Sequence, residues 1–259
     1  MLKTEKLNVS IDKKTVLHDV DFVAQPGEVT AIVGPNGSGK TTLLSALSGD
    51  RSFTGTAFMG DLDLAEAQPW ELAERRAVLA QFTSVAFPYT VAEIVRLGQA
   101  LGSEGAGFDH TQQALSDVGL SGYGTRAYHA LSGGEQQRVQ LARVLTQVWS
   151  PIDDHGPRWL ILDEPVSSLD IAHQLEVMAI TQRFAKAGGG VVAVMHDLNL
   201  TAMFADSVAL MSKGRLMRQG SIQEVFTDTE LSRAYGCKVQ VNAAPQSATF
   251  VLPQAAAAI

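Results

Sequence analysis

The stretch Gly34-Pro-Asn-Gly-Ser-Gly-Lys-Thr-Thr42 decides the fold, because it fits the pattern G-x-x-x-x-G-K-[ST] between a strand-like and a helix-like run. Before it, Val29–Val33 is β-branched and nearly all apolar, as is typical of a parallel strand buried on both faces. After it, Leu43–Leu47 predicts a short helix that ends at Gly49. Glycines in such a turn let successive backbone N–H groups converge on one anion at the positive end of the helix. The stretch therefore predicts a phosphate-binding loop.

Each part of this loop has an expected contact. Lys40 reaches the β- and γ-phosphates of a bound nucleotide, and the Thr41 hydroxyl ligates Mg²⁺. The residues expected to bind the nucleotide are Gly34, Pro35, Asn36, Gly37, Ser38, Gly39, Lys40, Thr41 and Thr42.

Composition limits the class of protein. A chain of 259 residues with 46% hydrophobic content and a mean hydropathy of +0.07 can bury one full α/β core. A net charge of −7 and a pI near 5.3 argue against nucleic-acid binding by bulk electrostatics. A single cysteine, Cys237, excludes an internal disulfide and suits a reducing compartment. We find neither a leader pattern nor an apolar run of membrane-spanning length, so we expect a cytosolic chain linked to any membrane through a partner.

The first part of the chain predicts a small β layer. Leu7, Val9 and Ile11 alternate with polar residues within residues 1–28, and a further short strand is expected near Thr56–Met59. Residues 68–79 are expected to be helical at least in part.

The rest of the chain alternates helices with buried strands. Residues 90–149 predict helices broken by glycine-rich stretches, which indicates an inserted helical subdomain. Continuous apolar runs at Trp159–Leu162 and Val191–Met195 predict central parallel strands, with a helix at 174–187 crossing between them. Residues 238–241 and 249–252 are expected to pair as a C-terminal hairpin.

Two carboxylates follow one of these strands, in Trp159-Leu-Ile-Leu-Asp163-Glu164-Pro165. The carboxyl edge of an open parallel sheet is where ligands bind in α/β folds. Asp163 is expected to hold Mg²⁺, and Glu164 to orient or deprotonate the water that attacks the γ-phosphate. In contrast, the sequence Asp153-Asp154-His155 lies between Pro151 and Gly156 and predicts a solvated turn rather than a metal site.

A third element precedes an amphipathic helix, in Leu131-Ser-Gly-Gly-Glu-Gln-Gln-Arg138. Free N–H groups at the start of a helix offer an anion a binding site. Together with the phosphate loop and LILDEP, this segment resembles the signature of the ATP-binding-cassette (ABC) transporter ATPases. The resemblance implies that the signature contacts ATP bound on the opposite subunit through Ser132, Gly133, Gly134 and Glu135.

The resemblance covers nearly the whole chain and implies further roles. Gln81 matches a glutamine that contacts Mg²⁺ or the attacking water, and His196 matches a histidine that contacts the γ-phosphate. Asp170 ends Ser167-Ser-Leu-Asp170, which matches a loop that communicates across the dimer.

The implied fold is α/β: a P-loop ATPase core with a mostly parallel sheet, an N-terminal antiparallel β layer and an inserted helical subdomain. As one domain, the chain would divide into a core with its β layer (1–81 and 151–237), a helical subdomain (82–150) and a C-terminal hairpin and tail (238–259). Where many relatives stack an aromatic residue on adenine, Val9-Ser-Ile11 offers none. Either an aliphatic residue such as Ile11 covers the base or the base is held loosely.

The implied function is that of a motor subunit at the cytoplasmic face of the inner membrane. Two copies would enclose two ATP molecules with Mg²⁺ and drive a dimer of membrane permeases. The alternative class is a soluble ABC ATPase acting on DNA or ribosomes, but the chain has one cassette, an acidic balance and neither the coiled coil nor the basic linker of such relatives.

The cargo is implied by resemblance alone. Three segments are most similar to the haem-import ATPases: Ala86–Val91, the helix from Leu131 to Leu145, and the extra loop Trp149–Arg158. Haem import would add an extracytoplasmic haem-binding protein as an indirect partner. Ferric-siderophore or cobalamin import is the alternative.

Overall fold

The computed structural model describes residues 1–102, 109–244, 247, 249 and 251, and is built on a central six-stranded sheet. From edge to edge, the strands are Arg215–Gly220 (β12), Ser207–Ser212 (β11), Val29–Val33 (β3), Gly190–Val194 (β10), Trp159–Asp163 (β9) and Arg76–Leu79 (β6). All neighbours pair in parallel except β11 and β12, which are antiparallel. The predicted mostly parallel sheet is therefore confirmed.

The predicted antiparallel β layer is also present. Its strands are Leu2–Ile11 (β1), Lys14–Ala24 (β2), Thr54–Met59 (β4) and Leu62–Asp63 (β5), in the order β2-β1-β4-β5. Leu2 and Thr4 of β1 are buried, as are Leu7 and Val9, and the residues beside them are exposed or half-buried. The alternation shifts by one residue at the irregularity between Thr4 and Leu7, so one face of the layer covers the core.

The helices cover both faces of the central sheet. They span Lys40–Leu47 (α1), Pro69–Arg75 (α2), Val91–Leu101 (α3), Thr111–Asp117 (α4), Gly133–Gln147 (α5), Ile171–Lys186 (α6), Leu198–Phe204 (α7), Ile222–Val225 (α8) and Asp228–Tyr235 (α9). Within β9, Ile161 belongs to the apolar cluster under the β layer and α1, whereas Leu160 and Leu162 belong to the cluster that contains α3, α5 and α6. A strand buried on both faces must be apolar throughout, and β9 is apolar until Asp163.

The structure differs from the sequence expectation in two regions. Residues 68–79 split into α2 and β6, because Ala77 and Val78 pair in parallel with Leu160 and Ile161 of β9. No prediction from the sequence covers the strands β11 and β12 or the helices α8 and α9. Each is short, so its formation depends on pairing and packing rather than on its own periodicity.

Parts of two expectations lie outside the described residues. They are residues 103–108 of the glycine-rich break, and positions 245, 246, 248, 250 and 252–259 of the C-terminal segment. Lys238–Val241, the first half of the expected hairpin, does not form a strand. Among the residues described, no helix is both long and apolar enough to cross a membrane.

The extra loop before β9 contains a small hairpin, Ile152–Asp153 (β7) with Gly156–Pro157 (β8). The expected turn is present at Asp154 and His155, but the Asp153 side chain is only 14% exposed. Its Oδ2 lies 3.0 Å from Nε of Arg158, and the Arg158 side chain is only 1% exposed. Nε of this guanidinium thus has a carboxylate partner, as a buried charge requires.

Replacing Asp153 with Ala should destabilise the protein, because the buried Arg158 guanidinium would lose the Asp153 carboxylate that faces its Nε. We expect the free energy of unfolding to fall by about 3 kcal/mol, measured by denaturant titration. The matched control is Asp154→Ala, since Asp154 is exposed on the same turn. Equal stability of the two variants would contradict the importance of this ion pair.

Candidate functional site

The phosphate loop connects β3 to α1 at the carboxyl edge of the central sheet. Gly34 has a φ of +148°, and a Cβ atom built on it would collide with the carbonyl oxygen of Met211 in β11. Only glycine fits where the loop leaves the sheet. Ser38 Oγ is buried and has no hydrogen-bond partner within the part of the chain that the structure describes. An unpaired buried hydroxyl in a loop of this kind fits a site that accepts a polar ligand.

Lys40 is the first residue of α1 and is almost completely buried. Its Nζ donates hydrogen bonds to the carbonyl oxygens of Gly34 at 2.9 Å and Pro35 at 3.2 Å. Burial lowers the pKa of the Lys40 ammonium, and the negative charges of Glu164 and Asp163 oppose that shift. A cation held against the loop in this way can bind an anionic phosphate.

Thr41 and Asp163 face each other across the edge of the sheet. The Thr41 hydroxyl donates to Oδ1 of Asp163 at 3.5 Å. Burial, followed by the charge of Glu164, raises the pKa of the Asp163 carboxyl, and the Thr41 hydrogen bond and Lys40 act in the opposite direction. Hydroxyl and carboxylate oxygens are the donors that Mg²⁺ prefers, so this pair fits such an ion.

Glu164 is held by two side chains from distant parts of the sequence. Its Oε1 lies 2.5 Å from Nε2 of His196, and its Oε2 accepts a hydrogen bond from Nε2 of Gln81 at 2.8 Å. Gln81 follows β6 and His196 follows β10, so both stand on the same sheet edge as Glu164 after β9. The Glu164 carboxylate therefore contacts both the His196 imidazole and the Gln81 amide.

These residues line a cleft of about 740 Å³. Of the residues expected from the sequence, it contains Asn36, Gly37, Gly39, Lys40, Thr41, Thr42, Gln81, Glu164 and His196. Val16 of β2 and Gln174 of α6 also line it, and no sequence motif indicates either residue. Val16 rather than Ile11 is the aliphatic residue that the β layer contributes.

The signature segment lies elsewhere in the single chain. Ser132 caps α5: its Oγ accepts the Glu135 N–H at 3.3 Å, and Oε2 of Glu135 accepts the Ser132 N–H at 2.8 Å. The hydroxyl and the backbone N–H of Ser132 both donate to the Glu135 carboxylate, and these two hydrogen bonds hold the pKa of that carboxyl below its ordinary value. Among the described residues, those that line the cleft include none from Ser132 to Glu135.

Asp170 likewise has a local partner. It caps α6, where its Oδ1 accepts the backbone N–H of His173 at 3.0 Å and lies 2.8 Å from His173 Nδ1. These hydrogen bonds from His173 lower the pKa of the Asp170 carboxyl. Asp170 is not among the residues that line the cleft.

Comparisons with known proteins agree with this site. The family model described as ABC transporter matches residues 17–167. A protein named hemin import ATP-binding protein HmuV from Jannaschia sp. (strain CCS1) is 59% identical over 99% of this chain and 95% of its own length. The proteins of that name from Roseobacter denitrificans and Mesorhizobium japonicum are 57% and 52% identical, each over 98% of both chains.

Solved structures show the same fold. An ATP-binding subunit of an ABC transporter superposes with a TM-score of 0.77 at 21% identity, covering 92% of this chain and 94% of its own. A nucleotide-free ATP-binding cassette from an ABC transporter gives 0.76 at 21% identity, with 90% and 98% covered. With a family model over more than half of its length and full-length relatives above 50% identity, the chain belongs to the ABC transporter family, among its ATP-binding subunits.

Proposed function

We propose that the protein hydrolyses ATP with Mg²⁺ as the motor subunit of an ABC importer whose cargo is haem. The observation that carries the ATPase is the cleft in which Lys40, Glu164 and His196 meet. The cargo rests on full-length relatives that are named for hemin import and are 52–59% identical.

The phosphate loop binds the nucleotide. Backbone N–H groups of the non-proline residues from Gly34 to Thr42 and the Lys40 ammonium surround the phosphates, since Lys40 already lies against the loop. Thr41, Asp163 and Gln81 would hold Mg²⁺, which would neutralise phosphate charge.

Glu164 performs the chemical step. Its carboxylate orients the attacking water and takes its proton, and Gln81 and His196 set the direction of both carboxylate oxygens. His196 also stabilises the charge that develops on the γ-phosphate. Phosphoryl transfer depends on positioning and charge neutralisation, which these side chains supply.

The complete site includes a second copy of the chain. Ser132, Gly133 and Gly134 stand at the N-terminal end of α5 and do not line the cleft of their own subunit. A second subunit facing the first brings these residues, and Asp170, to the nucleotide of its partner. Each ATP is then held between one phosphate loop and one signature.

The permease dimer docks beside Gln81. Phe82 and Phe87 are 85% and 65% exposed there, and Leu97 and Leu101 of α3 are partly exposed along a groove of about 520 Å³. Exposed apolar side chains of this size mark a protein interface. The subunit is therefore a peripheral protein at the cytoplasmic face of the inner membrane, and an extracytoplasmic haem-binding protein is its indirect partner.

Replacing Glu164 with Gln should abolish turnover while ATP binding persists, because the side chain keeps its size but loses the basic carboxylate. We expect kcat to fall by roughly 10²-fold or more, with little change in the Kd for ATP. Lys40→Ala, the comparison variant, should instead weaken ATP binding itself, as measured by nucleotide titration. Wild-type turnover by Glu164→Gln would refute the assignment of the base.

Mixing two inactive variants should restore hydrolysis if the site is shared between chains. Ser132→Arg subunits keep Lys40, and Lys40→Ala subunits keep Ser132, so their heterodimer contains one intact site. The mixture should hydrolyse ATP faster than either protein alone. The control mixes Ser132→Arg with the double variant Ser132→Arg/Lys40→Ala, which leaves no intact site; equal rates in both mixtures would contradict the shared site.

Reconstitution tests the cargo. The subunit is placed in proteoliposomes with the permease and binding protein encoded by its neighbouring genes. ATP-dependent uptake of haem, cobalamin and a ferric siderophore is then measured. Haem should accumulate, and its accumulation should stop in the Glu164→Gln variant. Uptake of cobalamin or the siderophore without haem would refute haem as the cargo without contradicting the ATPase assignment.

A further inference from the structure

Glu164 has a left-handed backbone conformation, with a φ of +52°. For a residue with a side chain this conformation is unfavourable, so neighbouring contacts must hold it. Its N–H donates to the carbonyl oxygen of Val194 at 3.2 Å, and its own carbonyl oxygen accepts the N–H and the hydroxyl of Ser167, both at 3.3 Å. These contacts come from β10 and from the turn that follows Glu164.

A further donor to the same carbonyl comes from α5. Nε2 of Gln137 lies 3.1 Å from the carbonyl oxygen of Glu164, 27 residues further along the chain. The other half of this amide, Oε1, is buried and has no hydrogen-bond partner in the described ranges. An unpaired buried acceptor is destabilising, so packing alone would favour an apolar side chain of the same length.

The start of α5 also contacts the segment that continues from Glu164. A Cβ atom built on Gly134 would lie 3.2 Å from the carbonyl oxygen of Ser168 and 3.2 Å from Cδ2 of Leu169. Glycine therefore permits the first turn of α5 to approach this segment closely. The Gln137 hydrogen bond and the close approach at Gly134 thus connect α5 to this backbone at two places, Glu164 and Ser168–Leu169.

We propose that Gln137 is a positioning residue for Glu164. It ties the left-handed backbone of Glu164 to α5, so that the carboxylate points at the attacking water only while α5 holds this position. A shift of α5 that breaks the bond misaligns the carboxylate and leaves the phosphate loop untouched. The signature helix then controls hydrolysis in its own subunit as well as contacting the nucleotide of the other; this inference rests on the proposed ATPase function.

The test compares Gln137→Met with Gln182→Met. Both remove a half-buried amide whose Nε2 donates to a backbone carbonyl at 3.1 Å, but Gln182 bonds Phe204, away from the cleft. Gln137→Met should lower kcat about tenfold, since small misplacements of a catalytic group are costly, and leave the KM for ATP nearly unchanged. Gln182→Met should keep the wild-type kcat. Gln137→His retains an N–H donor and should recover part of the rate.

A double-variant cycle separates positioning from general destabilisation. In a Glu164→Gln background, Gln137→Met should cause no further loss of the residual rate, because the group that it positions is already absent. A wild-type kcat for Gln137→Met, an equal loss in Gln182→Met or a further loss in the Glu164→Gln background would each overturn the proposal. A wild-type protein without ATPase activity would overturn the proposed function and this inference together.

Discussion

The site depends on a buried ammonium beside two carboxylates at the edge of a parallel sheet. Lys40 loses hydration on burial, and the charges of Asp163 and Glu164 offset part of that cost. The same burial disfavours the charged form of Asp163. Such an arrangement is stable because β3 and β9, each paired with β10, fix the two sides of the cleft. The Lys40 charge would complement a bound phosphate, and the carboxylate charges would complement a metal ion.

Glu164 shows how the fold controls one carboxylate through two sets of contacts. Gln81 and His196 hold its side chain, while Val194, Ser167 and Gln137 hold its backbone. The first set comes from the ends of neighbouring strands, whereas Gln137 comes from the helix that begins with the signature. The backbone of Glu164 is therefore hydrogen-bonded to the signature helix within a single subunit.

Capping hydrogen bonds explain why several helices begin where they do. Thr90 with Glu93, Ser132 with Glu135 and Ser221 with Glu224 each form a capping box. The glutamate at position 135, where related signatures commonly have glutamine, thus has a structural partner in Ser132. Each box stabilises a helix N-terminus through contacts between residues three apart, which is why such starts are readable from sequence.

Contiguous residues and local hydrogen bonds encode the phosphate loop, the strand that ends in Asp163 and Glu164, and the signature helix, so all three are predictable from the amino-acid sequence. Tertiary packing, in contrast, is needed to bring residues 76–79 into the sheet as β6, to place Val16 at the cleft, and to pair Asp153 with buried Arg158. The Gln137 contact with the Glu164 carbonyl belongs to the same class. These features join residues that are distant in the chain or depend on what is packed around them, and no local pattern encodes such pairings.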